Sequence, residues 1–155
     1  MKLEEILKNF ALTSHPEGGA YLESYRSLVK TGEKSVCTAI YFLLKRDEFS
    51  AFHRIRSDEM WHFYLGGPLR IIEIDPTGQK IETILGNDLT NSQQLQYVVK
   101  AGHWFASQPL AGTEFSFVGC TVAPGFEFND FELAVRRELI EKFPQHSNII
   151  EALTH

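Results

Sequence analysis

Between Gly19 and Val122 the chain divides into many short apolar or alternating segments, each bounded by a turn signal. The turns are Lys30-Thr31-Gly32-Glu33, Gly66-Gly67-Pro68, Asp75-Pro76-Thr77-Gly78 and Gly86-Asn87-Asp88. Glycine supplies positive φ, proline presets φ, and Asp and Asn side chains bond their own backbone, so such clusters reverse the chain. Strands are therefore expected at 20–28, 35–44, 48–56, 59–65, 69–74, 80–85, 95–100, 104–107 and 114–122. Short strands at regular spacing specify an all-β sandwich or barrel. No helical segment of 10–15 residues separates them, which disfavours a parallel α/β sheet.

The two ends read differently. Leu3, Ile6, Leu7 and Phe10 recur at helical spacing, and His15-Pro16-Glu17-Gly18-Gly19 ends that helix with a turn. Residues 131–143 carry Leu133, Ala134, Arg137, Leu139, Ile140 and Phe143 in a helical rhythm that Pro144 stops, and a second short helix is expected at 147–153. A chain of 155 residues without repeat or linker reads as one domain, 1–155. At that size about 68–70% of the unfolded surface is buried, so no disulfide is needed.

Charge excludes several functions. A net charge of −5 with scattered Lys and Arg gives no attraction to phosphate backbones, so no nucleic-acid partner is expected. No apolar run approaches 18 residues, and Lys2, Glu4, Glu5 and Lys8 break any signal-peptide core. Cys37 and Cys120 lie in apolar, β-branched surroundings and read as core thiols. These features predict a cytoplasmic protein with no membrane partner.

The chemistry concentrates in residues 52–66, FHRIRSDEMWHFYLG. As a strand, 59–65 puts Glu59, Trp61, Phe63 and Leu65 on one face and Met60, His62 and Tyr64 on the other. A carboxylate among aromatics suits an enclosed pocket, because an unpaired buried carboxylate costs several kcal/mol. Antiparallel pairing across Ser57-Asp58 is expected to bring His53 near Glu59. His62 joins them only if a bulge rotates the strand. His103 follows the Gly102 turn and is a candidate for a barrel mouth, while His15 reads as a turn residue. No phosphate loop and no nucleophile elbow occurs.

The order His53, one residue, Ile55, three residues, Glu59, six residues, Gly66 resembles the first motif of the cupin superfamily. Ile55 stands where that motif has its second histidine. Lys100-Ala-Gly102-His-Trp-Phe105 resembles the second motif, with Phe105 at the third metal histidine. Two of the four usual ligands, His53 and Glu59, are thus present. HPEGGAYLESYRS, TAIYFLL, FHRIRSDEMWHFYLGGPL and VGCTVAPGFEFNDFEL further resemble one small cupin subfamily of unassigned reaction, similar in fold to the dTDP-4-dehydrorhamnose 3,5-epimerases. The resemblance implies a double-stranded β-helix, or jelly roll, and a homodimer. By analogy with the epimerases it implies His53 as a base, with Tyr21 or Tyr25 as an acid.

Three readings follow. In the first, a metal-free small-molecule pocket uses His53 and Glu59 for hydrogen bonding or acid/base catalysis of an isomerase or epimerase type. Tyr25, Trp61, Phe63, His103 and Phe105 then bind the ligand, a sugar or small carbonyl compound. In the second, Zn, Fe, Mn or Ni is held by His53, Glu59 and His62 or another displaced histidine in an oxygenase or isomerase. In the third, the barrel is a non-catalytic interaction module, and Arg26, Arg54 or Arg56 neutralises Glu59. A fold alone does not choose among them.

Overall fold

The computed structural model describes residues 2–155. After helix α1 (Leu3–Asn9), thirteen strands follow: β1 (Thr13–Ser14), β2 (Ala20–Arg26), β3 (Lys30–Thr31), β4 (Lys34–Ser35), β5 (Thr38–Lys45), β6 (Ser50–Arg54), β7 (Asp58–Gly66), β8 (Leu69–Ile74), β9 (Lys80–Leu85), β10 (Gln96–Val99), β11 (Trp104–Pro109), β12 (Phe115–Ala123) and β13 (Glu132–Leu133). Helices α2 (Arg136–Lys142) and α3 (Ser147–Ala152) complete the chain. Two antiparallel sheets are stacked: a six-stranded one in the order β1-β2-β5-β12-β7-β10 and a five-stranded one in the order β13-β6-β11-β8-β9. This is a jelly roll, and the expected all-β class holds.

Alternation along each strand sorts the side chains. Phe42, Trp61, Val118 and Cys120 of the larger sheet meet Ile71 and Phe105 of the smaller one to form the inner core. Phe52, Ile72, Ile74 and Ala106 point outward from the smaller sheet and are covered by Leu139, Phe143 and Ile150 of the C-terminal helices. Ile6 of α1 covers Leu43, Phe115 and Phe117 on the outside of the larger sheet.

Three local expectations need correction. Residues 131–135 are not helical: Glu132 and Leu133 pair with Arg54 and His53, and the Ala134 N–H donates to the Phe52 carbonyl. The backbone of β6, otherwise unpaired on that side, outcompetes helix propensity there, and the helix starts only at Arg136. Leu65 leaves the face of Glu59 and Trp61, because a register shift between Phe117 and Val118 skips Tyr64 and turns Leu65 toward the outer α1 cluster. Finally, His53 and Glu59 are not on paired strands. β6 belongs to the smaller sheet and β7 to the larger, so the two residues face each other across the barrel.

Candidate functional site

The site begins with the turn His15-Pro16-Glu17-Gly18-Gly19. Gly18 and Gly19 have φ of 112° and 72°, and a Cβ at Gly18 would run into the Phe49 carbonyl. That backbone is open to glycine alone at little cost. It turns Glu17 inward, and the Ala51 N–H donates to the Glu17 carbonyl at 2.7 Å, fastening the turn to β6. His155, itself exposed, places its Nε2 3.3 Å from that same carbonyl.

Glu17 Oε2 lies 2.8 Å from His53 Nε2. His53 Nδ1 lies 2.7 Å from the Ala51 carbonyl, which can only accept, so Nδ1 carries a proton. Burial alone would raise the Glu17 carboxyl and lower the His53 imidazole. Their mutual attraction reverses both, leaving Glu17 below and His53 above its ordinary range. The pair is therefore glutamate and imidazolium.

His15 stands beside it. Its Nδ1 accepts the Glu17 N–H at 3.2 Å, which puts its proton on Nε2 in the neutral ring. Burial lowers its pKa, outweighing attraction to Glu17. Glu59 comes from the opposite sheet and is 8% exposed. Burial, reinforced by repulsion from Glu17, raises its pKa to about 7, against smaller opposing effects of His53 and the Cys120 thiol. Cys120 is itself raised well above the usual thiol range, first by burial and then by Glu59, so it stays a neutral thiol.

These groups line a cavity of about 130 Å³ at one end of the barrel. Its wall is formed by Tyr21, Ile40 and Val122 of the larger sheet and by Phe126, Phe128 and Phe131 of the segment after β12. That segment is tied down on several sides. Arg26 donates to Glu127 at 3.0 Å and to the Phe126 carbonyl at 3.1 Å, Thr38 Oγ1 accepts the Phe126 N–H at 2.9 Å, and Lys34 pairs with Asp130.

The fold and this arrangement can now be set against known proteins. A family model described as Cupin superfamily (DUF985) matches residues 4–134. The chain belongs to this cupin family. It is similar to an uncharacterized protein of Saccharomyces cerevisiae, 29% identical over 147 residues, which cover 83% of this chain and 73% of that protein. A structure from Shewanella oneidensis is 38% identical with a TM-score of 0.95, covering 100% of this chain and 98% of that one. A hypothetical protein from Leishmania major is 32% identical with a TM-score of 0.93, covering 100% and 99%. Oxalate decarboxylase from Bacillus subtilis, 14% identical with a TM-score of 0.62 over 94% of this chain and 37% of that one, shares the cupin fold alone.

Within this cupin barrel, His53 and Glu59 both reach the cavity. The other expected site residues do not. Tyr25 is exposed, beyond a register shift in β2 that separates it from Tyr21 and Glu23. Trp61 and Phe105 are sealed in the inner core, Phe63 packs against that core, and the Phe105 ring lies 4.1 Å from the His53 ring. His103 is bound to Glu73 at 2.9 Å, and Tyr97 donates to the other oxygen of that carboxylate. His62 lies on the outer face, with Nε2 2.9 Å from Thr121 Oγ1 and Nδ1 3.0 Å from Gln96. Of the two tyrosines considered as acids, only Tyr21 lines the cavity. Cys37 is half-buried rather than core, whereas Cys120 is buried as expected.

A divalent ion does not fit these residues. Ile55 and Phe105 are buried apolar groups at two ligand positions of the cupin motifs. Both nitrogens of His53 are engaged, and His62 and His103 face elsewhere. Among the described residues no group of three or more His, Cys, Asp or Glu is placed to hold a metal. Nor does an arginine neutralise Glu59: Arg26 pairs with Glu23 and Glu127, Arg54 with Glu132, and Arg56 lies nearest Asp130. Among the described residues no helix is long and apolar enough to cross a membrane.

The sequence reading missed Glu17 and His15 as site residues. The paired glycines after Glu17 were the available signal, since Gly-Gly permits backbone angles closed to other residues and so marks a sharp bend beside an acidic side chain.

Proposed function

We propose that this cupin binds a small molecule in the barrel cavity and performs metal-independent acid/base chemistry of the isomerase or epimerase type on it. One observation carries the reading. Glu59 is buried at the cavity wall with a pKa of about 7, opposite an imidazolium that Glu17 keeps charged. A carboxyl poised near neutrality both accepts and returns a proton at physiological pH, which is the requirement on a general acid/base. Glu59 takes the proton α to a carbonyl. His53 faces the same cavity with both N–H groups committed to Ala51 and Glu17, and its positive charge acts on Glu59 itself, favouring the carboxylate form that accepts the proton. This inverts the expected roles: His53, with both nitrogens engaged, is the electrostatic partner, and Glu59 is the base. His15 Nε2–H and the Tyr21 hydroxyl supply hydrogen bonds that orient the substrate. Every group named comes from one chain; the homodimer implied by the family resemblance is part of the proposal and is checked by sedimentation velocity.

The test is deuterium wash-in. Small hydroxy ketones, aldoses, amino ketones and amino sugars are incubated with the protein in D₂O and followed by NMR. Exchange at the carbon beside the carbonyl, with a pH inflection near 7 and lost in Glu59→Gln, is the expected result. Absence of enzyme-dependent exchange across the panel, with no ligand whose binding depends on Glu59, overturns the reading.

A further inference from the structure

The charges around the cavity restrict what enters it. Four carboxylates line it (Glu17, Glu23, Glu59 and Glu127) against two cations, Arg26 and His53. Both cations are already engaged. Arg26 gives Nε and Nη2 to Glu23, each at 2.9 Å, a second Nη2 hydrogen to the Phe126 carbonyl, and Nη1 to Glu127 Oε1. His53 gives its two protons to Ala51 and Glu17. An entering anion therefore finds at most the second Nη1 hydrogen of an Arg26 already paired with two glutamates, and it is repelled by the surplus carboxylates.

A cation meets the reverse. Glu59 is more than nine-tenths buried, and among the described residues its one protein donor is the weak Cys120 thiol. Glu127 has Arg26 on Oε1 only, leaving Oε2 open. Phe126, Phe128 and Phe131 stand within contact of one another, ring centroids 5.0 to 6.3 Å apart, and line the same cavity. Aromatic faces beside carboxylates are a site for ammonium groups, because the ring quadrupole and the carboxylate attract the same charge.

We infer that the natural occupant carries no net negative charge and presents a small ammonium group to the carboxylates and phenyl rings of the barrel mouth. This rests on the proposed acid/base reading of the cavity and narrows its substrate class to amino-bearing compounds. Sugar nucleotides and simple organic acids are thereby excluded.

The inference is tested on the ligand-free protein with three probes: choline, its uncharged carbon isostere, and lactate. Binding is followed by protein NMR and by calorimetry in two buffers of different ionisation enthalpy. Choline is expected to bind about tenfold tighter than its isostere, the ratio an ammonium–aromatic contact supplies. Near pH 7 it should release about half a proton from Glu59. Glu59→Gln should abolish the release, and Phe128→Ala, a half-exposed position whose loss leaves the core intact, should weaken choline alone. Equal affinity of the isostere, or tighter lactate binding with proton uptake, overturns the inference while leaving the acid/base cavity standing. Failure of all three probes to bind also overturns it, and the deuterium wash-in then judges the parent reading separately.

Discussion

Glu17 Oε2 and His53 Nε2 lie 2.8 Å apart, and the opposite nitrogen of that imidazole is committed to the Ala51 carbonyl at 2.7 Å. The turn that carries Glu17 and the strand that carries His53 are thereby joined by a buried ion pair at the floor of the cavity. Removing one partner strands the other charge in a nonpolar site, which costs about 3–5 kcal/mol. Glu17→Gln and His53→Gln should each lose stability on that scale in denaturant unfolding, and the double variant should recover much of the loss. Equal and additive losses would mean the two side chains do not act as a pair.

The pair also has a pH window. Glu17 is lowered from 4.5, so its contribution is present above pH 4.5 and is lost as pH falls through the lower folded value. His53 is raised from 6.5, so its contribution is complete below pH 6.5 and is lost as pH rises through the higher folded value. The stability difference between the native protein and the double variant should therefore be flat between pH 4.5 and 6.5 and shrink on both sides. Nitrogen-15 shifts of His53 should report an imidazolium that persists above pH 6.5.

Glu59 behaves with the opposite sign. Its rise from 4.5 to about 7 means the folded state holds a proton that the unfolded chain has released, so stability falls as pH climbs between those values and stays lower above them. The shift corresponds to about 3 kcal/mol. Glu59→Gln should therefore stabilise the protein by roughly that amount at pH 8 and by almost nothing at pH 4. A thermal melt series over pH decides it: an unchanged or lower midpoint at pH 8 would show that a donor compensates the ionised carboxylate and that its pKa is not raised.

How much of this was legible beforehand depends on the range of the interaction. The strands and their faces were, because period-2 alternation is local: Glu59 and Trp61 point inward as their spacing requires. The exceptions are places where a partner strand sets the geometry. A bulge opposite Phe117 moved Leu65 to the outer face, and the open edge of β6 captured Glu132 and Leu133 from a segment with helical periodicity. The site was half legible. His53 and Glu59 stand out by motif, but the motif places them on neighbouring strands, whereas the chain crosses between sheets after Arg54. Glu17 is 36 residues from its partner in sequence and is delivered by two glycines, which mark a sharp turn in the sequence without naming what the turn places Glu17 against. Aromatics chosen for their proximity to the motif became core, while those that wall the cavity lie some seventy residues later, after β12.

The segment from Phe126 to Phe131 is held over the cavity by contacts at the surface rather than by burial. Arg26 to Glu127 and Lys34 to Asp130 are partly exposed pairs, each worth about 0.2–1 kcal/mol. Arg26→Ala and Lys34→Ala should therefore leave the melting temperature nearly unchanged. Hydrogen exchange at Phe126 and Phe131 should nonetheless rise several-fold, and ligand should enter and leave faster. Salt should produce the same change in the native protein, by screening the same pairs. Unaltered exchange in both variants would mean that the phenyl cluster alone holds the segment in place.

The metal prediction follows from the donors present. Titration of the native protein with Zn²⁺, Fe²⁺, Mn²⁺ or Ni²⁺ should leave the His53 ring resonances unmoved, because its nitrogens are bound to Ala51 and Glu17 and its neighbours at two motif positions are Ile55 and Phe105. Glu17 matters here as much as the missing ligands: it occupies the Nε2 lone-pair direction that a metal would need. Restoring histidines at Ile55 and Phe105 alone should therefore give only weak binding. Adding Glu17→Ala to Ile55→His and Phe105→His frees that nitrogen and assembles three imidazoles with the Glu59 carboxylate, a donor set suited to a divalent ion. The triple variant should retain near-stoichiometric metal through dialysis, measured by elemental mass spectrometry, and the double variant should not. Stoichiometric metal in the native protein, lost in both His53→Ala and Glu59→Ala, would overturn the metal-free reading of this barrel.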